Sequence, residues 1–480
     1  MAKYTKYVQP FMPSSGYSFV AAAALWRNYA GYCVYVKHKP GGRNIRLKRS
    51  GYKYQWFECP DRELVVVKNS FDSDAFYPWG DSFDECIDLS LYNDTVSQNF
   101  GLNYIMTNYA HSGGTKHIRL TATTPPEKRI QMMSDSGGLQ LIVGVKDVIH
   151  PIDLITYYNN NVDAGMVLDV PLHFDDPKLA KKLALLQRDN TNIMLKYNDG
   201  IDLINIFHGQ TSDERKRFKD IVEDSRIDRV AMARGGQMQP VTMVNAICEM
   251  LEGEQKYKQY HILGVYSATH VPLLVKLANL KSNPVHITSD STSHIQSALN
   301  KAYHHQFDIF HYMKRVAIGT RGAIPSSYRK LPCQCKVCTT LKYTDLLGFM
   351  TNTFMELLAI HNAYEMSRCA SQLQEVCVNE GHAALNALVK EQLKKHGSRR
   401  EVESALDFID IYDRDGLPAA QKKYRLELNK MRLAEPEVLP RGLYVDQHVD
   451  VQVNAQSPNE KRERAVKKLA MMTNQIKDRN

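Results

Sequence analysis

Between about residues 130 and 330, short apolar runs alternate with longer stretches in which apolar residues recur every three or four positions. The runs predict strands at 139–143, 165–168, 203–207, 229–233, 261–265 and 285–287. The stretches between them predict helices over 177–186, 213–222, 241–251 and 272–280, since a 3.6-residue repeat places one apolar stripe on each. Regular alternation of strand and helix implies a parallel sheet covered by helices, either open or closed into a barrel.

Polar residues and glycines sit immediately after almost every predicted strand: Asp169, His208-Gly209, Gly235-Gly236, Ser267 and Asp290. The run Ser134-Asp135-Ser136-Gly137-Gly138 introduces a strand of its own. In a β/α barrel such residues converge on one mouth, where chemistry occurs. An open doubly wound sheet would be supported by a Gly-x-Gly-x-x-Gly phosphate loop, which the chain lacks. The expected fold class is therefore α/β, a (β/α)8 TIM-like barrel with an N-terminal β-rich extension, a C-terminal helical extension and, where Cys333, Cys335, Cys338 and His361 supply three thiols and an imidazole, a zinc-binding insertion.

In this reading, residues 1–130 hold β hairpins that cap or extend the barrel, together with its first elements; this part is rich in Tyr, Asp and turn residues. Residues 131–330 form the barrel core, 331–380 the zinc-binding subdomain and 381–480 a charged helical extension. Within the last part, 383–395 and 419–432 have helical spacing, and 461–468 is basic. No internal repeat is evident.

Composition changes this picture little. A 480-residue chain with 43% hydrophobic and 24% charged residues is ordinary for a water-soluble protein of two or three domains, or of one barrel with extensions. The longest apolar run, residues 19–26, is far short of the roughly 20 positions needed to cross a bilayer. It follows a polar segment containing Pro10 and Pro13 and does not read as a signal peptide. The expectation is a cytoplasmic protein with no membrane partner, its thiols reduced and available to metal.

Charge adds a partner class. The net charge is +9, and residues 37–53 carry seven Lys or Arg, among them Arg43, Arg46, Lys48 and Arg49, with no acid. Tyr35, Tyr52, Tyr54 and Trp56 are interleaved with or flank them. Such a stripe can pair with phosphates while its aromatic rings stack on bases, or it can form a solvated hairpin around Pro40-Gly41-Gly42.

The cysteines supply a metal motif. Cys333, Cys335 and Cys338 lie within six positions, and His361 follows 23 positions later. Three thiolates and one imidazole complete a tetrahedral zinc site with no position left open, so the metal would be structural. A zinc deaminase would need His-x-Glu and Pro-Cys-x-x-Cys, and this chain has neither.

Three acids stand in polar, turn-like contexts: Asp135 in Ser-Asp-Ser-Gly-Gly, Asp169 in Leu-Asp-Val-Pro and Asp290 in Thr-Ser-Asp-Ser-Thr. With the cysteine motif they carry a resemblance. Ser134 to Gln140 is similar to the Ser-Asp-Ser-Gly-Gly-Phe-Gln of the guanine transglycosylases, which exchange guanine for a 7-deazaguanine. Leu168 to Pro171, Ala233 to Gly236 and Ile262 to Val265 resemble further motifs of that family, in the same order, and His208-Gly209 stands where Gln-Gly is usual there, a departure at the base.

The resemblance implies a double displacement with no organic cofactor. Asp290 would attack the anomeric carbon, and Asp135 would serve as general acid and base. Two inversions give retention, as with the paired carboxylates of retaining glycosidases. Asp169 would accept hydrogen bonds from the amidine edge of the base. Ser136, Gly137, Gly138, His208, Gly209, Gly235 and Gly236 would surround the base, with Tyr266 or Met232 stacking on it.

The chain departs from the tRNA-acting members after Asp290, where Ser291-Thr-Ser-His294 replaces their Cys-Val-x-Pro-Thr-Arg. That favours the DNA-guanine transglycosylase branch of phages and bacterial modification clusters. The partners would be DNA and a base such as 7-cyano-7-deazaguanine, with Arg43, Arg46, Lys48, Arg49 and His294 on the nucleic acid and the host cytoplasm as location for a phage enzyme. The alternatives are tRNA as substrate and a non-catalytic partner subunit; retention of both Asp135 and Asp290 argues against the second. A homodimer or an accessory protein is left open.

Overall fold

The computed structural model describes residues 16–22, 32–38, 46–50, 54–58, 62–68, 83–88, 102–109, 130–138, 149–169, 177–233, 235–267, 269–300, 302–304, 315–317, 333–340, 352–394 and 399–430. In chain order the strands are β1 (Gly16–Ala22), β2 (Tyr32–His38), β3 (Arg46–Ser50), β4 (Tyr54–Glu58), β5 (Arg62–Lys68), β6 (Glu85–Asp88), β7 (Tyr104–Asn108), β8 (Gln131–Asp135), β9 (Ala164–Met166), β10 (Asp202–Phe207), β11 (Arg229–Met232), β12 (Gln259–Ile262), β13 (His286–Ser291), β14 (Ala302–His304) and β15 (Arg315–Ala317).

Strand β1 and strands β7 to β13 close into an eight-stranded barrel in the order β1-β13-β12-β11-β10-β9-β8-β7, every pairing parallel. Closure is made by β1, whose Val20 stands opposite Asp290 on one side and Tyr104 on the other. The expected barrel is thus the observed one. Between β1 and β7 the chain builds a separate antiparallel sheet in the order β3-β4-β5-β2-β6, which answers to the expected N-terminal hairpins. Strands β14 and β15 form a short antiparallel pair.

Two strand boundaries move in a way that matters for the site. The run Ser134-Asp135 ends β8 rather than introducing a strand, and the segment 139–143 lies outside the described residues. Likewise β13 continues through Asp290 to Ser291 instead of stopping at 287. Strand β13 ends in polar residues, so an apolar-run criterion stops it too early, and β8, with only Met132 and Met133 apolar, is passed over by the same criterion.

The described helices are α1 (Pro151–Asn161), α2 (Pro177–Lys196), α3 (Ser212–Val222), α4 (Pro240–Leu251), α5 (Val271–Ala278), α6 (Ser293–Leu299), α7 (Lys336–Thr340), α8 (Asn352–Gln392), α9 (Arg399–Asp415), α10 (Leu417–Lys423) and α11 (Arg425–Lys430). Their starts follow local chemistry. Thr211 caps α3 in a capping box with Glu214, and Pro151 and Pro240 open α1 and α4 where no helical N–H is needed. Helix α8 runs through Gly381, whose φ of 88° breaks it into two segments, a backbone state glycine adopts without steric cost. No described helix is long and apolar enough to cross a membrane.

The C-terminal helices complete the barrel's outer layer. Helix α9 packs on α4 and α5, and α8 packs on α5, α6 and β1. Lys276 of α5 is fully buried there, with its Nζ 2.7 Å from Asp410, 2.9 Å from Asn386 Oδ1 and 3.0 Å from the Leu406 carbonyl. The amphipathic stripe of α9, including Val402, Ala405, Leu406, Phe408 and Ile409, therefore lies in the core, and α4 is buried nearly all round. The basic segment 461–468 lies outside the described residues.

Candidate active site at the barrel mouth and a candidate metal centre

Asp290 sits near the carboxyl end of β13, with its side chain 12% exposed. Its Oδ1 accepts two hydrogen bonds, from the Gly264 N–H at 2.8 Å and from His261 Nε2 at 3.2 Å. Oδ2 has no hydrogen-bond partner among the described residues. Gly264 is placed for this by the turn after β12, where its φ is +71°. One carboxylate oxygen is thereby fixed and the other left available for chemistry.

Asp135 ends β8, with two barrel strands, β7 and β1, between it and β13. Its Oδ2 accepts from Asn108 Nδ2 at 2.7 Å, and Asn108 lies directly opposite it on β7. Burial, and then the charges of Asp169 and Asp290, push its pKa up to about 7, against the opposing donors Gly137 N–H and Asn108. A carboxyl in this state both gives and takes a proton near neutral pH.

Asp169 follows β9 and is buried. Ser136 Oγ donates to its Oδ1 at 2.7 Å, and His208 Nε2 lies 3.0 Å from its Oδ2. The Gly138 N–H in turn donates to Ser136 Oγ at 3.1 Å. A Cβ on Gly138 would stand 2.4 Å from the Asp169 carbonyl oxygen, so only glycine lets the two segments meet. Ser136, Gly138, Asp169 and His208 are thus one hydrogen-bonded group, interleaved in sequence with a second formed by Asn108, Asp135 and Gly137. The His208 Nδ1 is buried with no partner in that group.

Several expected base contacts take other roles. A Cβ on Gly209 would collide with Arg215, and one on Gly235 with Ile262 and Val265, so the absent side chains there serve packing within the protein. Gly236 is exposed, and its Cβ position is blocked by the Gly264 carbonyl. Met232 is buried at 1% exposure, and Tyr266 is buried with its hydroxyl donating to the Met366 carbonyl. His294 corrects the expected nucleic-acid set: it is fully buried in α6, edge-on to Phe19, and burial lowers its pKa to about 3. A neutral, enclosed imidazole presents no charge to a phosphate. Arg46, Lys48 and Arg49 lie on β3, whereas Arg43 lies outside the described residues.

The barrel interior holds residues that the apolar-run reading passes over. Beta/alpha barrels usually fill this space with layers of branched aliphatics. Here Arg229, Gln259, His261, His286 and Thr288 are all buried. Arg229 pairs with Asp202 and donates to Gln259 Oε1 at 2.8 Å; Gln259 Nε2 donates to Thr288 Oγ1 at 2.9 Å; Thr288 Oγ1 lies 2.8 Å from His261 Nδ1. The signal was a two-residue polar repeat, Gln259-x-His261 and His286-x-Thr288-x-Asp290, since alternate strand positions share a face.

Cys333, Cys335, Cys338 and His361 come together as expected, all buried and with their ligand atoms within 4.8 Å of one another. His361 Nδ1 lies 3.1 Å from Cys338 Sγ and 3.5 Å from Cys335 Sγ, while Nε2 donates to the His304 carbonyl at 2.6 Å. That bond fixes the tautomer so that Nδ1 is the ligand atom. Tyr303 stacks on the imidazole at 4.1 Å and 9°, with its hydroxyl 3.3 Å from Cys338 Sγ. The group can hold a metal ion, and its four donors leave no position open.

The neighbouring residue links this centre to the mouth. Asn362 accepts from the His304 N–H at 2.9 Å and donates to the carbonyls of Ala302 and His294 at 3.0 and 3.2 Å. His294 belongs to α6, which begins directly after β13.

The fold and site define a closed β/α barrel with paired acids at its mouth and a Cys3His centre beside it. A comparison with models of known protein families gives no match for this chain, and a search of curated proteins gives none either.

Proposed function

We propose that the protein is a base-exchange transglycosylase that replaces guanine in DNA with a 7-deazaguanine, 7-cyano-7-deazaguanine or a relative. The observation that carries this reading is the pairing of two unlike carboxyls at one mouth. Asp290 is hydrogen-bonded through a single oxygen, and Asp135 is pushed up to about 7 by burial and by the charge of Asp169.

In this mechanism Asp290 Oδ2 attacks C1′ of the target nucleotide as the C1′–N9 bond breaks, through an oxocarbenium-like state that the carboxylate stabilises. Protonated Asp135 gives its proton to the departing guanine. The resulting carboxylate then takes the N9 proton of the incoming 7-deazaguanine, whose nitrogen displaces Asp290 from C1′ and restores the nucleotide with retained configuration. Asp169, held by Ser136 and His208, still has lone pairs to receive the amidine N–H groups of the base. A duplex guanosine would have to be flipped out to reach this site.

The Cys3His centre would hold zinc, the usual ion for that donor set, in a structural role. Its contribution is to anchor the segment around His304 and α8.

The test is release of labelled guanine from DNA and from bulk tRNA when 7-cyano-7-deazaguanine is supplied. Release from DNA supports this reading. Release from tRNA alone moves the substrate to tRNA, and release from neither favours the partner-subunit role. Asp290→Ala should lower exchange on the order of 10³-fold or more and abolish the covalent adduct seen by denaturing electrophoresis. An adduct that persists reassigns the nucleophile.

A further inference from the structure

We propose that His261 is a positioning residue for Asp290, held in one tautomer by a buried hydrogen-bond relay that starts at the Asp202–Arg229 pair. This rests on the reading of Asp290 as nucleophile.

The direction of the relay follows from donor and acceptor chemistry. A guanidinium only donates, so Arg229 Nη1, 2.8 Å from Gln259 Oε1, fixes the amide with its oxygen toward the arginine. Gln259 Nε2 must then donate to Thr288 Oγ1, 2.9 Å away. The threonine hydroxyl, already accepting, points its own proton at His261 Nδ1 at 2.8 Å. With the hydroxyl proton directed at Nδ1, the imidazole carries its own proton on Nε2, facing Asp290 Oδ1 at 3.2 Å. The opposite tautomer would set a lone pair against a carboxylate.

Burial makes this direction costly to reverse. Arg229, Gln259, His261 and Thr288 are each at most 1% exposed, so water has little access to replace a mis-set donor. Asp202 neutralises the guanidinium at the start of the relay. At its end, the His261 and Gly264 donors converge on Oδ1, turning Oδ2 to the mouth. Positioning of this kind raises the rate of glycosyl transfer to Asp290 and leaves binding of the nucleic acid alone.

The experiment uses the full chain and has two readouts. The first is the nitrogen resonances of 15N-histidine-labelled protein, with His261 assigned by its loss in His261→Gln. The second is the rate of adduct formation on a guanine-containing single-stranded DNA, with its affinity measured alongside. The wild type should show His261 protonated on Nε2 alone. Thr288→Val, which removes the hydroxyl and keeps the shape, should mix the tautomers and slow adduct formation about 10-fold with affinity unchanged. His261→Gln, whose amide can still donate to Asp290, should retain more activity than His261→Leu.

A wild-type His261 protonated on Nδ1 overturns the relay, and that measurement needs no variant to fold. Mixed tautomers in Thr288→Val with an unchanged rate overturn the positioning role. If the wild type forms no adduct on DNA or tRNA, the nucleophile assignment fails and the positioning role with it, while the resonances still decide whether the relay exists.

Discussion

In the proposed mechanism Asp135 trades stability for chemistry. Its pKa rises from the usual carboxylate range to about 7, chiefly through burial. The folded protein then binds more protons than the unfolded chain across that interval, so stability falls as pH rises from about 4 to about 7 and the loss is complete above it. Asp135→Asn removes the buried charge while keeping a group that can meet Asn108. Thermal denaturation at pH 8.5 should show the variant more stable by on the order of 1–2 kcal/mol, a figure discounted for the carboxyl's partial exposure, with the gain vanishing near pH 4. Exchange activity in the same variant should fall about 10²- to 10⁴-fold. A variant no more stable at pH 8.5 than at pH 4 would place the raised proton affinity elsewhere.

At the scale of elements, adjacent residues of α8 address different targets: His361 faces the thiols, and Asn362 holds β14 and α6. Cys335→Ser should lose bound metal and lower the melting temperature by about 5–10 °C. Hydrogen exchange at His304 should quicken with it, because that amide bonds to Asn362. Full metal content in the variant would remove Cys335 from the ligand set. Where the same α8 meets α5, Asp410→Ala strands the buried Lys276 ammonium and should cost about 3 kcal/mol in urea unfolding, with Lys276→Met/Asp410→Ala recovering most of it. Equal stability of the single and double variants would show that Asn386 and the Leu406 carbonyl suffice.

These elements were legible in the sequence to different depths. The strand–helix alternation located β9 to β12, because their apolar runs are bounded by polar turns. The cysteine motif and His361 were legible because metal chemistry demands particular residue types at short spacing. The interior relay was not, since Arg229, Gln259 and Thr288 read as ordinary polar residues until the barrel places their alternate positions on one buried face. His294 was misread because it stands in the divergent segment after Asp290 that suggested a nucleic-acid contact, and only packing of α6 against Phe19 shows it enclosed.

For the whole molecule, the manner of closure has a kinetic consequence. Tyr17 of β1 and Ser289 of β13 bond at 2.8 Å although 272 residues separate them in sequence. Contacts that distant form late, because the chain must lose the entropy of a long loop before they reward it. Asp290 lies on β13 opposite Val20, so the residue proposed to attack the sugar reaches its final surroundings only when the barrel's first and last strands meet. In refolding from denaturant, far-UV circular dichroism should recover before the capacity to form the adduct, and that capacity should return in the slowest phase; simultaneous recovery would show that the ends meet early. Under the proposed function, a growing chain would therefore gain its helices and most of its barrel while still inert, and would become reactive toward nucleic acid only as its outermost strands join.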